Sequence, residues 1–255
     1  MGVVDSGNRP RGEPVLARAA RILQAFTPEE PELSVSEIGR RARLHVATAS
    51  RLIAALVEQG LLARAANGKV RIGVRLWELA QRASPTLGLR EAAMPFLEDL
   101  HAVIGHHVQL GVLDGGEVLF VERLSARDAV INVTRIAGRL PLHASSAGLV
   151  LLAYAPHELQ EQVIAGPLPA FTPETITAPG RLRRVLDGIR RQGHVVSSGH
   201  IHADASGVAV PVRASPDPAS SVVAGLSAIV PNDGRAPQLL PALLAAARGI
   251  ARHLR

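Results

Sequence analysis

A chain of 255 residues, 47% hydrophobic and 20% charged, can bury one large core or two modest ones, and two is the expectation. It contains no cysteine, which excludes a disulfide framework, a thiolate nucleophile and a zinc–thiolate site; with aromatics at 2%, aliphatic side chains must fill the cores. The formal charge of +6 is unevenly placed: residues 1–90 hold 14 Lys+Arg against 8 Asp+Glu, residues 91–255 hold 14 against 14, and a basic head on a neutral body suits a nucleic-acid partner.

Residues 1–13 lack an apolar secretory core and read as a disordered tail; the match to a myristoylation pattern at Gly2 to Ser6 is too permissive to carry weight. Leu16, Ala19, Ala20, Leu23 and Phe26 recur at helical spacing and predict an amphipathic helix over 14–26, ended by "TPEEPE". Ser34 and Glu37 form a capping-box pattern with Leu33 and Ile38 at the staple positions, so a second helix starts near Val35. It must be short. Leu44 already belongs to a turn, and a third helix runs through Ala49, Leu52, Ile53, Leu56 and Val57 to Gly60, a natural C′ residue. With those positions inward, Thr48, Ser50, Arg51 and Ala55 project outward, and small side chains beside an arginine suit entry into a major groove. "LLARAANGKVRIG" places two β-prone runs around Asn67-Gly68, with Arg64, Lys69 and Arg71 on the hairpin. Three helices and a basic hairpin predict a winged helix-turn-helix over 14–75 whose wing touches phosphates; a generic helical corner is the plain alternative.

Residues 76–88 are expected to be a linker: a short helix around Trp77, interrupted by Ser84-Pro85 and Gly88, with a second helix resuming at Leu89 and kinked at Pro95. Its apolar face could pair two chains. From 89 to 255 the pattern predicts an α+β sensor-like body. "HHVQLGVLDGGEVLFVERL" reads as a hairpin turning at Gly115-Gly116 and "AVINVT", 129–134, as a third strand. "GLVLLAYA", 148–155, is a buried helix too short to cross a bilayer, so a soluble, cytoplasmic protein with no membrane partner is expected. "RLRRVLDGIRRQG" is an amphipathic helix capped by Gly193, "GVAVPVR" and "SVVAGLSAIV" are strands, and "PQLLPALLAAARGIARHLR" closes the chain as a helix.

Within "LPLHASSAG" an extended segment gives way to a helix whose first turn carries Ala144, Ser145, Ser146, Ala147 and Gly148. Small side chains leave the first backbone N–H groups open, and the helix dipole favours an anion such as a carboxylate there. An ordinary Ser-capped helix is the plain alternative. Two rivals come from other chemistry. His143 beside two serines raises a serine hydrolase, but no G-x-S-x-G elbow is present. His106, His107, His200, His202 and Asp204 raise a metal sensor; neighbouring histidines on a strand face opposite ways, and two ligands on one face do not complete a site. No catalytic residue, metal site or cofactor is therefore assigned.

Taken together, "VLARAARILQAF", "VSEIGRRARLHVATASRLIAALVEQGLL", "VRIGVRLWELA", "GRLPLHASSAGLVLLAYA" and "GVAVPVR" resemble, in order and spacing, the IclR family of bacterial transcriptional regulators. The resemblance implies a winged helix-turn-helix, a linker helix and a GAF-like effector-binding domain, assembled as a homodimer or homotetramer on a palindromic operator. Carried over by position, it implies DNA contacts from His45, Ala47, Thr48, Ser50 and Arg51, with Arg40, Arg41, Lys69 and Arg71 nearby. It implies effector contacts from Leu140, Leu142, Ser145, Ser146, Ala147, Ser197, Gly207 and Ser227. The chain departs from the family pattern in having Ser197-Ser198 where an acidic pair is frequent, glycine at 207, and Leu149 where lysine is frequent.

Overall fold

The computed structural model describes residues 13–83, 85–126, 130 and 136–254. The chain divides into two compact units between Ser84 and Pro85. The expected tail (Glu13 apart), the Gly2 to Ser6 pattern and, Val130 apart, the strand expected at 129–134 lie outside the described residues.

In the first unit α1 (Val15–Gln24) precedes α2 (Val35–Arg41) and α3 (Val46–Glu58). The capping box is formed: Ser34 Oγ accepts from Glu37 N–H at 3.2 Å, and the Glu37 carboxylate accepts from Ser34 N–H at 2.9 Å. Hydrogen bonding from Ser34, backbone first, holds the Glu37 carboxyl below its ordinary range. The α2–α3 turn is tight because Gly39 lets the chain fold back: a Cβ there would sit 3.3 Å from the Leu44 carbonyl and 3.4 Å from Ala49. Helix α3 buries Ala49, Ile53 and Leu56 and is followed by Gly60 at φ 70°, a left-handed position that glycine takes without strain.

The hairpin consists of β2 (Leu62–Arg64) and β3 (Val70–Ile72), with Gly68 at φ 78° in its turn. A third strand, β1 (Glu32–Leu33), pairs with the outer edge of β3 and was not expected. Two residues are too few to show a period of two, and Leu33 is drawn in by burial among Ile22, Ile38, Ile53, Leu62 and Val70. Helix α4 (Val74–Ala83) follows at once; a Cβ on Gly73 would collide with the Gly60 carbonyl at 2.0 Å.

The second unit opens with α5 (Pro85–Ile104), one helix that runs through Gly88 and Pro95 rather than restarting at Leu89. A proline at the first helical position has no N–H to satisfy, and Gly88 in the first turn costs only propensity. Among the described residues six strands form an antiparallel sheet in the order β6-β5-β4-β9-β8-β7: β4 (His107–Asp114), β5 (Glu117–Leu124), β6 (Arg139–Pro141), β7 (Val195–Ser198), β8 (Ala205–Arg213) and β9 (Val222–Pro231). Val108, Leu110, Val208, Val210, Leu226 and Ala228 share one face and pack with α5 and the last helix, α9 (Leu240–His253). The opposite face is covered by α6 (Ser146–Ala153), fully buried, and α8 (Pro179–Gln192). Helix α7 (His157–Ala165) and strand β7 were not foreseen. Only Ile164 of α7 is buried, too little to give an apolar stripe, and β7 is four residues long. The α+β architecture is otherwise the one expected.

Replacing Ser34 with alanine should cost the first unit about 1 kcal/mol, lowering protection of the α2 amides about fivefold in hydrogen exchange. Unchanged protection would show that the cap contributes nothing.

Candidate functional site

In the first unit α3 presents its unburied side outward. Arg51, Ser50, Ala47 and His45 are exposed and Thr48 is partly so, while Ala49, Ile53 and Leu56 hold the opposite side in the core. Arg40, at the end of α2, and Lys69 and Arg71, on the hairpin, are exposed as well. Lys69 lies near enough to the first turn of α2 to act on the Glu37 carboxyl, which links the hairpin tip to that helix. Arg41 does not belong in this set. Its guanidinium donates to the Ala25 carbonyl at 3.0 Å and to Glu30 at 2.5 Å, tying α2 to the end of α1 and the loop after it. Sequence periodicity put Arg40 and Arg41 side by side; only the tertiary contact separates their roles. Arg43, at φ 52° in the turn, is an exposed cation beside α3 that the sequence reading passed over.

In the second unit the start of α6 meets the sheet at a cavity of about 40 Å³, room for a few waters. The helix begins at Ser146, so Ala144 and Ser145 precede it rather than lying in its first turn. Ser145 is the N-cap: its Oγ accepts from Gly148 N–H at 3.1 Å, and its carbonyl accepts from Leu149 N–H at 2.9 Å. That leaves the N–H groups of Ser146 and Ala147 without intrahelical acceptors at the positive end of the helix dipole.

The sheet side of the cavity follows from strand alternation. Gln109 pairs with Ser227 across β4 and β9, Ile229 with Gly207 across β9 and β8, and Gly207 with Ser197 across β8 and β7. All five point to the α6 face, and all line the cavity. Gly207 is a fitted absence. A Cβ there would lie 2.6 Å from Ser146 Oγ and 3.1 Å from Ser197 Oγ, and a Cβ on Gly225 would lie 3.1 Å from the Ala147 carbonyl.

Leu140, Ser145, Ser146, Ala147, Ser197, Gly207 and Ser227 all line the cavity, as the sequence implied. Leu142 does not; it is buried in the hydrophobic cluster that also holds Val118 and Leu152. Sequence reading missed Gln109, Phe120, His200 and Ile201 as lining residues. Their strands and turn are far apart in the chain, and nothing local marks them. Thr172 and Thr175 likewise carry no short-range signal: Thr175 Oγ1 donates to the His200 carbonyl at 2.6 Å and Thr172 Oγ1 to that of Gly199 at 2.5 Å, anchoring the turn that brings His200 to the cavity.

The lining is apolar at Phe120, Leu140, Ile201 and Ile229 and contains no Asp, Glu, Lys or Arg. Two polar atoms in it are buried without a hydrogen-bond partner among the described residues, Ser227 Oγ and His200 Nδ1. Unpaired buried polar atoms are costly, so a pair of them aimed at one cavity marks a place where a ligand or water completes the bonding. Burial, and then the nearby Arg181, push the His200 imidazole below its ordinary pKa, so it is neutral there and serves as a neutral hydrogen-bonding group.

The rival chemistries lose their parts to structure. Ser145 Oγ is engaged in capping and His143 Nε2 hydrogen-bonds the Pro169 carbonyl at 3.0 Å, so neither stands as nucleophile or base. Among the described residues no three His, Asp or Glu side chains come together as metal ligands would.

A winged helix-turn-helix followed by an α+β unit with an internal, uncharged cavity defines a ligand-responsive DNA-binding regulator. Comparison with known proteins makes the assignment specific. Residues 15–66 match the IclR helix-turn-helix domain and residues 81–252 the C-terminal domain of bacterial transcriptional regulators of the IclR type. The chain is 31% identical to the HTH-type transcriptional regulator XynR of Escherichia coli over 82% of its own length and 83% of that protein's. It is 32% identical to the regulator Rv1719 of Mycobacterium tuberculosis, over 76% of this chain and 74% of the relative. A solved IclR homologue from Microbacterium hydrocarbonoxydans, complexed with 4-hydroxybenzoate, is 45% identical and superposes with a TM-score of 0.90, covering 95% of this chain and 99% of that one. The protein belongs to the IclR family: it is a transcriptional regulator with a DNA-binding N-terminal domain and a ligand-binding C-terminal domain, and its relatives are regulators, not enzymes.

His200 and His107 are both held below the ordinary imidazole value of 6.5, in each case chiefly by burial. The unfolded chain therefore binds more protons once pH falls through that value, and the stability present above it is lost progressively below it. Urea midpoints should fall between about pH 7.5 and about pH 5.5, and the His107→Gln/His200→Gln variant should show a shallower fall. An equal fall in the variant would assign the pH dependence to other groups.

Proposed function

We propose that the protein reads a palindromic operator through α3 and the hairpin and is released from it, or recruited to it, by an aromatic carboxylate bound at the start of α6. Arg51 is the specificity contact, forking onto a base edge, with Ser50, Thr48, Ala47 and His45 permitting close approach; Arg40, Lys69 and Arg71 meet phosphates. Two copies are needed to read two half-sites. Exposed apolar side chains on α1 and α4, Leu16, Val74, Trp77 and Leu79 among them, are available in the first unit for such pairing. Residues 76–88 carry the effector's influence towards the DNA-binding domain, which acts on the chromosome in the bacterial cytoplasm.

One observation carries the effector class. The cavity offers free N–H groups at a helix start, an apolar middle and the orphan atoms Ser227 Oγ and His200 Nδ1, with no charged side chain. A carboxylate suits the N–H pair, a planar ring the apolar middle, and a ring hydroxyl the orphan atoms. The Microbacterium homologue's 4-hydroxybenzoate has all three parts. At about 40 Å³ the cavity must widen to admit a benzoate, and the turn through His200, Ile201 and His202 is a wall without regular structure. Ligand entry thus favours one conformer over another, which is what shifts a population.

Arg51→Ala should weaken specific operator binding by about 1–3 kcal/mol while nonspecific binding and its salt dependence remain; unchanged affinity removes Arg51 from the contacts. Gly207→Val, which fills the space between Ser146 and Ser197, should abolish 4-hydroxybenzoate binding in calorimetry and leave operator binding intact. Undiminished ligand binding in that variant would put the effector site elsewhere.

A further inference from the structure

The far end of α6 opens on a second cleft in the same unit, about 300 Å³ in volume. Tyr154, the residue that caps the C-terminus of α6, forms one wall. Leu244, Ala247 and Ala251 of α9 lie along another side, and Pro216 and Pro218 of the β8–β9 loop close it. That volume reaches the lower end of the range for small-molecule pockets.

Its electrostatics are one-sided. Arg213, Arg248 and Arg252 line it, and no acidic residue does. Arg248 and Arg252 are four apart on α9 and so share a face; both are exposed, and neither has a carboxylate within ion-pair distance among the described residues. The third guanidinium is already oriented: Arg213 lies over the Tyr154 ring at 5.1 Å and donates to the Ser220 carbonyl at 2.7 Å, so its plane is set before any ligand arrives. Asp217, between the two prolines, does not line the cleft; its carboxylate accepts the Ala219 N–H at 2.8 Å within the loop and, among the described residues, forms no ion pair with the cluster.

We propose that this cleft is a second small-molecule site, separate from the cavity at the start of α6, and that it takes an organic anion with a flat apolar body. The apolar side favours a ring over a bare inorganic anion, and guanidinium forks favour a carboxylate, sulfonate or phosphate group. The cleft shares no lining residue with the α6-start cavity. The cavity nevertheless meets the first residues of α6 and the cleft meets Tyr154, directly after its last, with the eight-residue helix of about 12 Å between them; both touch β8, at Gly207 and at Arg213. An anion in the cleft would bear on the same helix as the effector.

The chain has a single tyrosine, and it lies in this cleft. The full-length protein carrying 3-fluorotyrosine therefore gives one fluorine resonance that reports on the site. Titration with naphthalene-2-sulfonate should move that resonance saturably in the wild type and equally in His200→Gln/Ser227→Ala, which removes the two orphan atoms of the α6-start cavity without adding bulk against α6. In Arg248→Glu/Arg252→Glu, two exposed substitutions that leave the core untouched, the shift should need more than about tenfold more probe. The proposal is overturned if the resonance stays still in the wild type, if the arginine variant titrates like the wild type, or if the shift vanishes in His200→Gln/Ser227→Ala. It is equally overturned if the signal follows protein concentration rather than probe, since a second copy of the chain would then cover the cleft.

Discussion

The close approach of the first turn of α6 to bare backbone in the sheet is the constraint on which the ligand-binding domain turns. Gly207 and Gly225 let a helix start lie where any side chain on the strands would strike it, and Ser145 ties the turn down by capping Gly148. Gly148 has the same requirement from the other side, since a Cβ there would come within 2.8 Å of Leu142 backbone. The outcome is a positive helix end inside the protein with two N–H groups left over. Such an arrangement suits an anion without any cationic side chain.

The same geometry makes α6 a stiff element. All eight of its residues are buried, and it lies between the sheet on one side and α8 on the other. A packed interior does not deform continuously, so a ligand that needs more room than the cavity provides must move a wall. The turn held by Thr172 and Thr175 is pinned at two carbonyls but has no ladder of its own, which makes it the least expensive wall to displace.

The DNA-binding domain works by a different division of labour. Its small aliphatic core fixes α2 and α3 against each other through Gly39 and the Ser34 cap, and the rigidity so obtained presents Arg51 and its small neighbours as one surface. Arg41 shows why charge near that surface cannot be counted as contact. An arginine whose guanidinium already satisfies a carbonyl and a carboxylate contributes to the shape of the domain rather than to the potential over the groove.

Elements with a strong local signature were legible without coordinates: the capping box at Ser34, the turn at Asn67-Gly68, the hairpin at Gly115-Gly116, the uninterrupted apolar run of α6 and the helix capped by Gly193. Each is governed by forces acting over a few residues, namely caps, positive φ angles and apolar period. What tertiary structure alone decided was which chemistry faces which space. Gln109, Phe120 and His200 reach the ligand cavity, Leu142 leaves it, Arg41 turns inward, and Tyr154 meets Arg213, Arg248 and Arg252 through the packing of α6, β8 and α9. Those juxtapositions depend on sheet register and on close approaches at glycine between residues tens of positions apart, and no spacing along the chain encodes them.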